Sequence, residues 1–125
     1  MRAIEFRIWD KQQGKFIKPD YERLAICCRG GVYSGKYDSV VVDRYEIQQF
    51  TGILDKNKTP IYEGDIVDYR YDGMSEFDKE RYADLLVSPV YWDYERWRIK
   101  YSAASYAWHL MEVVGSVFEN PDLLK

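Results

Sequence analysis

The side chains best suited to catalysis are few and widely spaced in this sequence. The only histidine, His109, has no nearby acid or nucleophile along the chain. Because a catalytic triad needs proximity in space, His109 alone predicts no catalysis, and we interpret it as a packed or surface residue. Glu63 and Asp65 flank Gly64, and carboxylates two residues apart can bind a metal or act as acid and base. We favour a simpler interpretation, in which Asp65 holds a tight turn and Glu63 lies on the surface.

Neither a metal site nor a phosphate-binding loop is predicted. Cys27 and Cys28 are adjacent, so in a strand they point to opposite faces and pair poorly as a disulfide. A structural zinc site needs four Cys or His ligands, which this chain does not supply. Gly30, Gly31 and Gly35 match neither the G-x-x-x-x-G-K-S/T nor the G-x-G-x-x-G spacing. We therefore expect no catalytic residue, no cofactor and no metal.

One predicted strand, over 96–101, separates basic from apolar side chains by simple alternation. The basic face carries Arg96, Arg98 and Lys100. The apolar face carries Trp97, Ile99 and Tyr101. Tyr94 and Tyr106 are nearby, and small barrels can bind single strands by stacking bases on aromatic rings beside a basic groove. Glu95 at the edge favours an ordinary solvated strand instead.

The composition describes a small domain that is rich in aromatic residues. The 125 residues fit one domain, or two small lobes sharing a core. A formal net charge of −3 argues against a generally basic nucleic-acid binder. Aromatic residues make up 17%, including 12 Tyr. This excess suits either a well-filled β core or an interface with another protein.

No targeting or membrane-spanning segment is evident in the sequence. Residues 1–6 alternate between polar and apolar, unlike a signal peptide. No apolar stretch approaches the roughly 18–20 residues that a membrane span needs. We therefore expect a cytoplasmic protein with no membrane partner.

The secondary-structure elements that must position the candidate side chains are mostly strands. A first strand over 4–10, with Ile4, Phe6 and Ile8 on one face, turns at Gly14 into a second strand over 15–17. Further strands are predicted over 24–28, 32–33, 40–42, 45–54 with a bend at Gly52, 66–71, 85–87, 90–92, 96–101 and 111–118. Ser75 followed by an acid three residues later predicts a short helix over about 76–84, and another helical turn is predicted over 103–108.

Three segments together resemble the YopX family, a group encoded by bacteriophages and prophages. Residues 6–10 (FRIWD) are similar to its opening "FRAWD", and residues 50–67 to its central "YTGLKDKNG…IYEGDIV". Residues 114–124 (VGSVFENPDLL) are similar to its closing "VGNIYENPELL". The resemblance spans the whole chain. It implies a mostly β fold, an SH3-like barrel in the C-terminal half and a phage or prophage origin, and it supplies no catalytic or binding residues.

One departure from the family pattern concerns the central turn. The family usually has Asn-Gly there, and this chain has Asn57-Lys58. A residue other than glycine costs about 1 kcal/mol or more in a left-handed conformation, so the turn type is open at this point.

The sequence therefore predicts a mainly β, small barrel-like fold with few short helical turns. We expect a single domain over 1–125, with an N-terminal β lobe over about 1–60 and an SH3-like lobe over about 61–125. The expected function is that of a non-enzymatic phage accessory protein acting through contacts with a host or phage protein. The alternative is a small-barrel nucleic-acid-binding module, and a homo-oligomer is also open. The candidate contact face for either function is Arg96, Arg98, Lys100 and Tyr94, whereas Gly64 and Asp65 are assigned to a structural turn.

Overall fold

Strands make up most of the regular structure, which confirms the mainly β, barrel-like fold predicted from the sequence. The computed structural model describes residues 4–17, 24–26, 32–34, 39–40, 44–70, 73–101 and 107–124. The strands are β1 (Phe6–Asp10), β2 (Lys15–Phe16), β3 (Leu24–Ile26), β4 (Val32–Ser34), β5 (Ser39–Val40), β6 (Tyr45–Leu54), β7 (Pro60–Tyr62), β8 (Asp65–Asp68), β9 (Val87–Pro89), β10 (Tyr91–Asp93), β11 (Arg96–Arg98) and β12 (Glu112–Ser116). The helices are α1 (Glu76–Arg81) and α2 (Ala83–Leu86), with 3-10 turns at Trp108–Leu110 and Pro121–Leu124.

The chain divides into two compact units. One is Glu5–Gln49, and the other comprises Met1–Ile4 and Phe50–Lys125. The division falls within β6, earlier in the chain than the boundary near residue 60 suggested by the sequence. Gly52 has a φ of 82° and the pairing of β6 with β7 shifts register between Phe50 and Leu54, so β6 bends where the sequence placed the bend.

Two antiparallel sheets form the N-terminal unit. β1 pairs with β2 and with the first half of β6, and β3, β4 and β5 form the second sheet in that order. Trp9 pairs with Phe16 across β1 and β2, with the ring centroids 4.9 Å apart. Trp9 is buried, whereas Ile4 and Phe6 are exposed. Of the face predicted to carry Ile4, Phe6 and Ile8, the first two residues are therefore exposed, and it is Trp9 on the opposite face that Phe16 covers.

A buried ion pair holds the turn between β1 and β2. Asp10 is fully buried, and its Oδ2 lies 2.8 Å from Arg44 Nη2. Arg44 Nε also donates to Asp10 Oδ1 at 3.1 Å, and the backbone N–H groups of Gln12 and Gln13 donate to the same oxygen. The hydrogen bonds from the Arg44 side chain outweigh burial and lower the pKa of Asp10 below its ordinary value.

One hydrophobic core organises the C-terminal unit. Its buried members are Ile61, Val67, Val90, Ile99, Trp108 and Met111. β8 lies between β12 and β9 in an antiparallel sheet, and β6–β7 and β10–β11 are hairpins that contribute side chains to the same core. Ile66 and Val67 point to opposite faces of β8 and are both fully buried, so both faces of this central strand are covered.

Asp55 organises the turn between β6 and β7. Its Oδ1 accepts hydrogen bonds from the backbone N–H groups of Asn57 and Thr59, each at 2.8 Å. Its Oδ2 accepts one from Val113 N, in β12, at 2.9 Å. Lys58 has a φ of 66°, so the left-handed position is kept here without the glycine usual in the family. Asp55 therefore ties the turn to the three-stranded sheet.

The segment that precedes β9 corrects one prediction. The helix expected over 76–84 is present as α1 and α2, and Ser75 Oγ caps it by accepting from Asp78 N at 3.1 Å. Residues 85–87 were predicted to be strand, but Leu85 and Leu86 complete α2. Leu86 is fully buried there, and a short apolar run alone does not distinguish a strand from a buried helical segment.

Several other predicted elements are shorter in the structure or fall outside its described part. β8 ends at Asp68 and β11 at Arg98, before the predicted ends at 71 and 101. β3 occupies 24–26, and Cys27 and Cys28 lie outside the described residues, as do 102–106 of the helical turn expected over 103–108. Pro89 ends β9, an edge strand, which is where a missing backbone N–H is tolerated.

The bend between β7 and β8 depends on Gly64, as the sequence suggested. Gly64 is buried with a φ of 81°. Its N–H donates to Val90 O and its carbonyl accepts from Val117 N, both at 2.9 Å. Asp65 is buried and its Oδ2 accepts from Tyr62 N at 2.8 Å, so this carboxylate holds the turn.

We expect Gly64→Val to destabilise the protein by about 1–3 kcal/mol. A φ of 81° is a conformation that branched side chains avoid, and the two backbone hydrogen bonds restrain the bend from shifting. Gly14→Val is the matched control, because Gly14 has a comparable φ of 67° and so carries the same conformational strain, but it is exposed and no atom lies within 4 Å of where its Cβ would be. Thermal denaturation should show the larger loss for Gly64→Val; an unchanged midpoint would contradict the prediction.

Candidate functional site

The hairpin β10–β11 carries the basic face that the sequence singled out. Its register pairs Tyr91 with Arg98, Trp92 with Trp97, and Asp93 with Arg96. Residues directly opposite in an antiparallel pair share a face of the hairpin. One face therefore holds Tyr91, Asp93, Arg96 and Arg98, and the other holds Trp92 and Trp97.

The apolar side of the hairpin rests on the core, as predicted. Ile99 is fully buried, and Trp97 and Tyr101 pack against the core cluster. Trp92 continues this side outward, because its ring centroid lies 5.1 Å from that of Trp97 in an edge contact, yet Trp92 is 52% exposed. The core thus anchors a tryptophan pair whose outer member faces solvent.

The basic side is partly neutralised by the hairpin itself. Arg98 Nη1 donates a hydrogen bond to Asp93 Oδ2, and this bond raises the pKa of Arg98 above its ordinary value. Arg96 is half-buried and Lys100 is exposed. Because Asp93 engages Arg98, the three cations do not act as three independent phosphate contacts.

The tip of the hairpin holds Tyr94 in an unusual conformation. Tyr94 has a φ of 49° and is 95% exposed. Glu95 N donates to Asp93 O, which closes a three-residue turn around Tyr94. The pairing of Asp93 with Arg96 leaves Tyr94 and Glu95 as a two-residue hairpin loop, and such loops need a positive φ at their first residue.

The sequence did not predict that Tyr91 and Trp92 would be exposed. It placed both in a strand, whereas the structure leaves them 38% and 52% exposed on a hairpin of only two strands. The sequence feature that could have indicated this exposure is the clustering of three aromatic residues, Tyr91, Trp92 and Tyr94, within four positions. We call these three residues the aromatic patch, in which Tyr91 lies on the basic face of the hairpin, Trp92 on the opposite face and Tyr94 at the tip. Tyr106, which the sequence placed near the basic face, lies outside the described residues.

Among the described residues, the other candidates from the sequence do not form a catalytic or metal-binding site. Within the part of the chain that the structure describes, no group of three or more His, Cys, Asp or Glu side chains could hold a metal ion. Asp65 is committed to the Gly64 bend, and His109 is exposed on a 3-10 turn. Among the same residues, no helix has the length and apolar character needed to cross a bilayer.

Comparison with known proteins places the fold and the family. No curated protein matches the chain significantly. Among solved structures, protein EF1440 from Enterococcus faecalis matches with a TM-score of 0.62 and 19% identity, over 100% of both chains. At that identity the likeness concerns the fold. The profile described as YopX protein matches residues 5–125. Since that match covers nearly the whole sequence, the chain belongs to the YopX family.

Proposed function

We propose that this protein is a non-enzymatic accessory protein encoded by a phage or prophage, which acts in the bacterial cytoplasm by binding another protein. The observation that supports this proposal is the aromatic patch. Its three residues are 38%, 52% and 95% exposed and lie on one short hairpin. Tyr and Trp are the residues most enriched at the energetic centres of protein interfaces.

The packing of the hairpin favours a binding role for the exposed aromatic residues. Trp97 packs on the core and supports Trp92, so the outer ring is held in place before any partner arrives. A preorganised aromatic side chain loses little conformational entropy on binding.

The test is affinity capture from induced host cells, with and without nuclease. Trp92→Ala and Tyr94→Ala should each reduce the captured protein about tenfold or more, since truncating an interface centre costs about 2 kcal/mol. Phe77→Ala is the control, because Phe77 is 69% exposed but belongs to α1 and not to the hairpin. A partner that both hairpin variants retain and Phe77→Ala loses would contradict the proposal.

Single-stranded nucleic acid is the second candidate partner. It is favoured by the basic side chains beside the aromatic patch, and disfavoured by the Arg98–Asp93 ion pair. The triple variant Arg96→Gln, Arg98→Gln, Lys100→Gln should stay folded, with a stability within about 1 kcal/mol of wild type, because exposed or half-exposed charges contribute little.

Oligonucleotide binding over a salt series separates the two candidates. We expect the wild type to bind neither single strands nor duplexes tightly, and the triple variant to capture its protein partner as before. Salt-sensitive binding of a dT oligonucleotide by the wild type, with a shallower salt slope in the triple variant, would instead support nucleic acid. An unfolded triple variant would contradict the placement of these side chains on the solvent side.

A further inference from the structure

The short helix α1 has the reverse of the usual amphipathic arrangement. Its half-buried side chains are the polar Asp78 and Lys79, whereas its one apolar side chain, Phe77, is 69% exposed. No residue of α1 is buried. Helices in folded proteins are stabilised mainly by burying an apolar face, and a helix of six residues is marginal by itself. Packing along its length therefore contributes little to the stability of α1.

The contacts that hold α1 in place lie at its two ends. Met74, which precedes the N-cap residue Ser75, is buried. At the other end, the ring of Tyr82 stacks on that of Tyr101, with the centroids 4.9 Å apart and the planes at 29°. Tyr101 in turn packs against the core cluster of the C-terminal unit. The Tyr82 ring is thus the connection between the end of α1 and the core.

The next helix, α2, is docked much more firmly. Leu86 is fully buried, and its carbonyl accepts a hydrogen bond from Tyr69 N at 2.9 Å. The two helices are separated at Tyr82, whose φ of −107° and ψ of 19° depart from helical values. An exposed helix and a docked helix therefore meet at the residue whose ring contacts Tyr101.

We propose that residues 76–82 form a strap that opens locally while the rest of the fold stays intact, with the Tyr82 ring as its latch. Opening lifts Tyr82 from Tyr101 and uncovers a ring that is half-buried in the closed form. α2 stays docked, because Leu86 remains buried and bonded to Tyr69. Segments with few buried apolar contacts and exposed backbone hydrogen bonds are those that open at the lowest free energy.

Amide hydrogen exchange of the full chain, followed by NMR, tests the proposal. The reporters in the strap are the amides of Lys79 and Tyr82, which donate to Ser75 O and Asp78 O at 3.0 Å. They should exchange at least about a hundredfold faster than the amide of Val67, a fully buried residue of the central strand β8.

The dependence of exchange on dilute urea separates local opening from global unfolding. Urea should accelerate exchange at Val67 and leave the strap amides nearly unchanged, because local opening exposes little surface. Strap amides that match Val67 in both exchange rate and urea dependence would overturn the proposal, since the strap would then open only when the whole unit unfolds.

Substitutions at the latch make the test specific. Tyr82→Ala removes the stacked ring and should speed exchange at Lys79 about tenfold. Tyr82→Phe keeps the ring and should exchange like the wild type. Phe77→Ala is the control within α1, because an exposed ring is replaced by a good helix former, so exchange should not speed up. Equal exchange at Lys79 in Tyr82→Ala and Tyr82→Phe would overturn the proposal.

Discussion

We expect Asp55→Ala to destabilise the protein by about 3–4 kcal/mol, because three backbone N–H groups lose their acceptor at once. Asp55 is 3% exposed and accepts from Asn57 N, Thr59 N and Val113 N. The first two bonds shape the turn, and the third ties that turn to β12. Chemical denaturation at neutral pH measures the loss directly.

Two variants in the same turn provide the controls for Asp55→Ala. Asp55→Asn keeps one acceptor oxygen, so we expect an intermediate loss. Lys56→Gln removes an ion pair with Glu112 that spans 3.5 Å between half-exposed side chains, and it should change stability by less than about 1 kcal/mol. If Asp55→Ala were no more destabilising than Lys56→Gln, Asp55 would not organise the turn as described.

The second large effect is expected for Arg44→Met, which leaves the carboxylate of Asp10 buried without its charged partner. Removing one member of a buried ion pair typically costs about 3–5 kcal/mol. Asp10 is fully buried, while about a third of the Arg44 side chain is exposed, so we expect about 3 kcal/mol, near the lower end. Lys11→Met is the control, because the Lys11–Glu46 pair has both side chains nearly half exposed and should contribute less than about 1 kcal/mol.

The pH dependence of stability tests whether the loss expected for Arg44→Met comes from the charge on Asp10. In the folded protein the pKa of Asp10 lies below its ordinary value, chiefly through hydrogen bonds from Arg44. The stabilisation is therefore complete above the unfolded-state pKa, which is about 3.9, and is lost as the pH falls through the lower folded-state pKa. The stability gap between wild type and Arg44→Met should narrow below about pH 4. A gap that is independent of pH would point to packing instead.

Much of the fold could be predicted because side-chain alternation and turn residues act locally. Gly52 and Gly64 were expected to allow bends in β6 and before β8, and both have positive φ. Ser75 was expected to cap a helix, and its hydroxyl does so. These features depend on the conformational preferences of one or two residues, which a sequence displays directly.

The predictions that failed depended on contacts between distant segments. Ile4 and Phe6 were placed on the apolar face of a half-buried strand, but both are exposed, and Phe16 on β2 covers Trp9 on the other face. Leu85 and Leu86 were predicted to be strand, but they complete α2, in which Leu86 is buried. Nothing in an apolar run shows which face its neighbours will cover.

Only part of the candidate site could be predicted from the sequence. Alternation correctly separated Arg96 and Arg98 from Trp97, because strand neighbours point to opposite faces. It did not show that Asp93 would engage Arg98, or that Trp92 would remain exposed, since both depend on the cross-strand register of the hairpin. In that register Asp93 engages one of the basic side chains, whereas the aromatic patch stays exposed.

Photo-crosslinking from the hairpin tip tests most directly whether the aromatic patch is a protein-binding surface. Tyr94 is replaced by the photoreactive residue p-benzoylphenylalanine, which fits a side chain that is 95% exposed, and Phe77 receives the same replacement as a control. After irradiation of induced host cells, we predict a covalent protein adduct from position 94 that survives nuclease, and none from position 77. Adducts from position 94 that contain only nucleic acid, or protein adducts from position 77 alone, would contradict the assignment of the aromatic patch as a protein-binding surface.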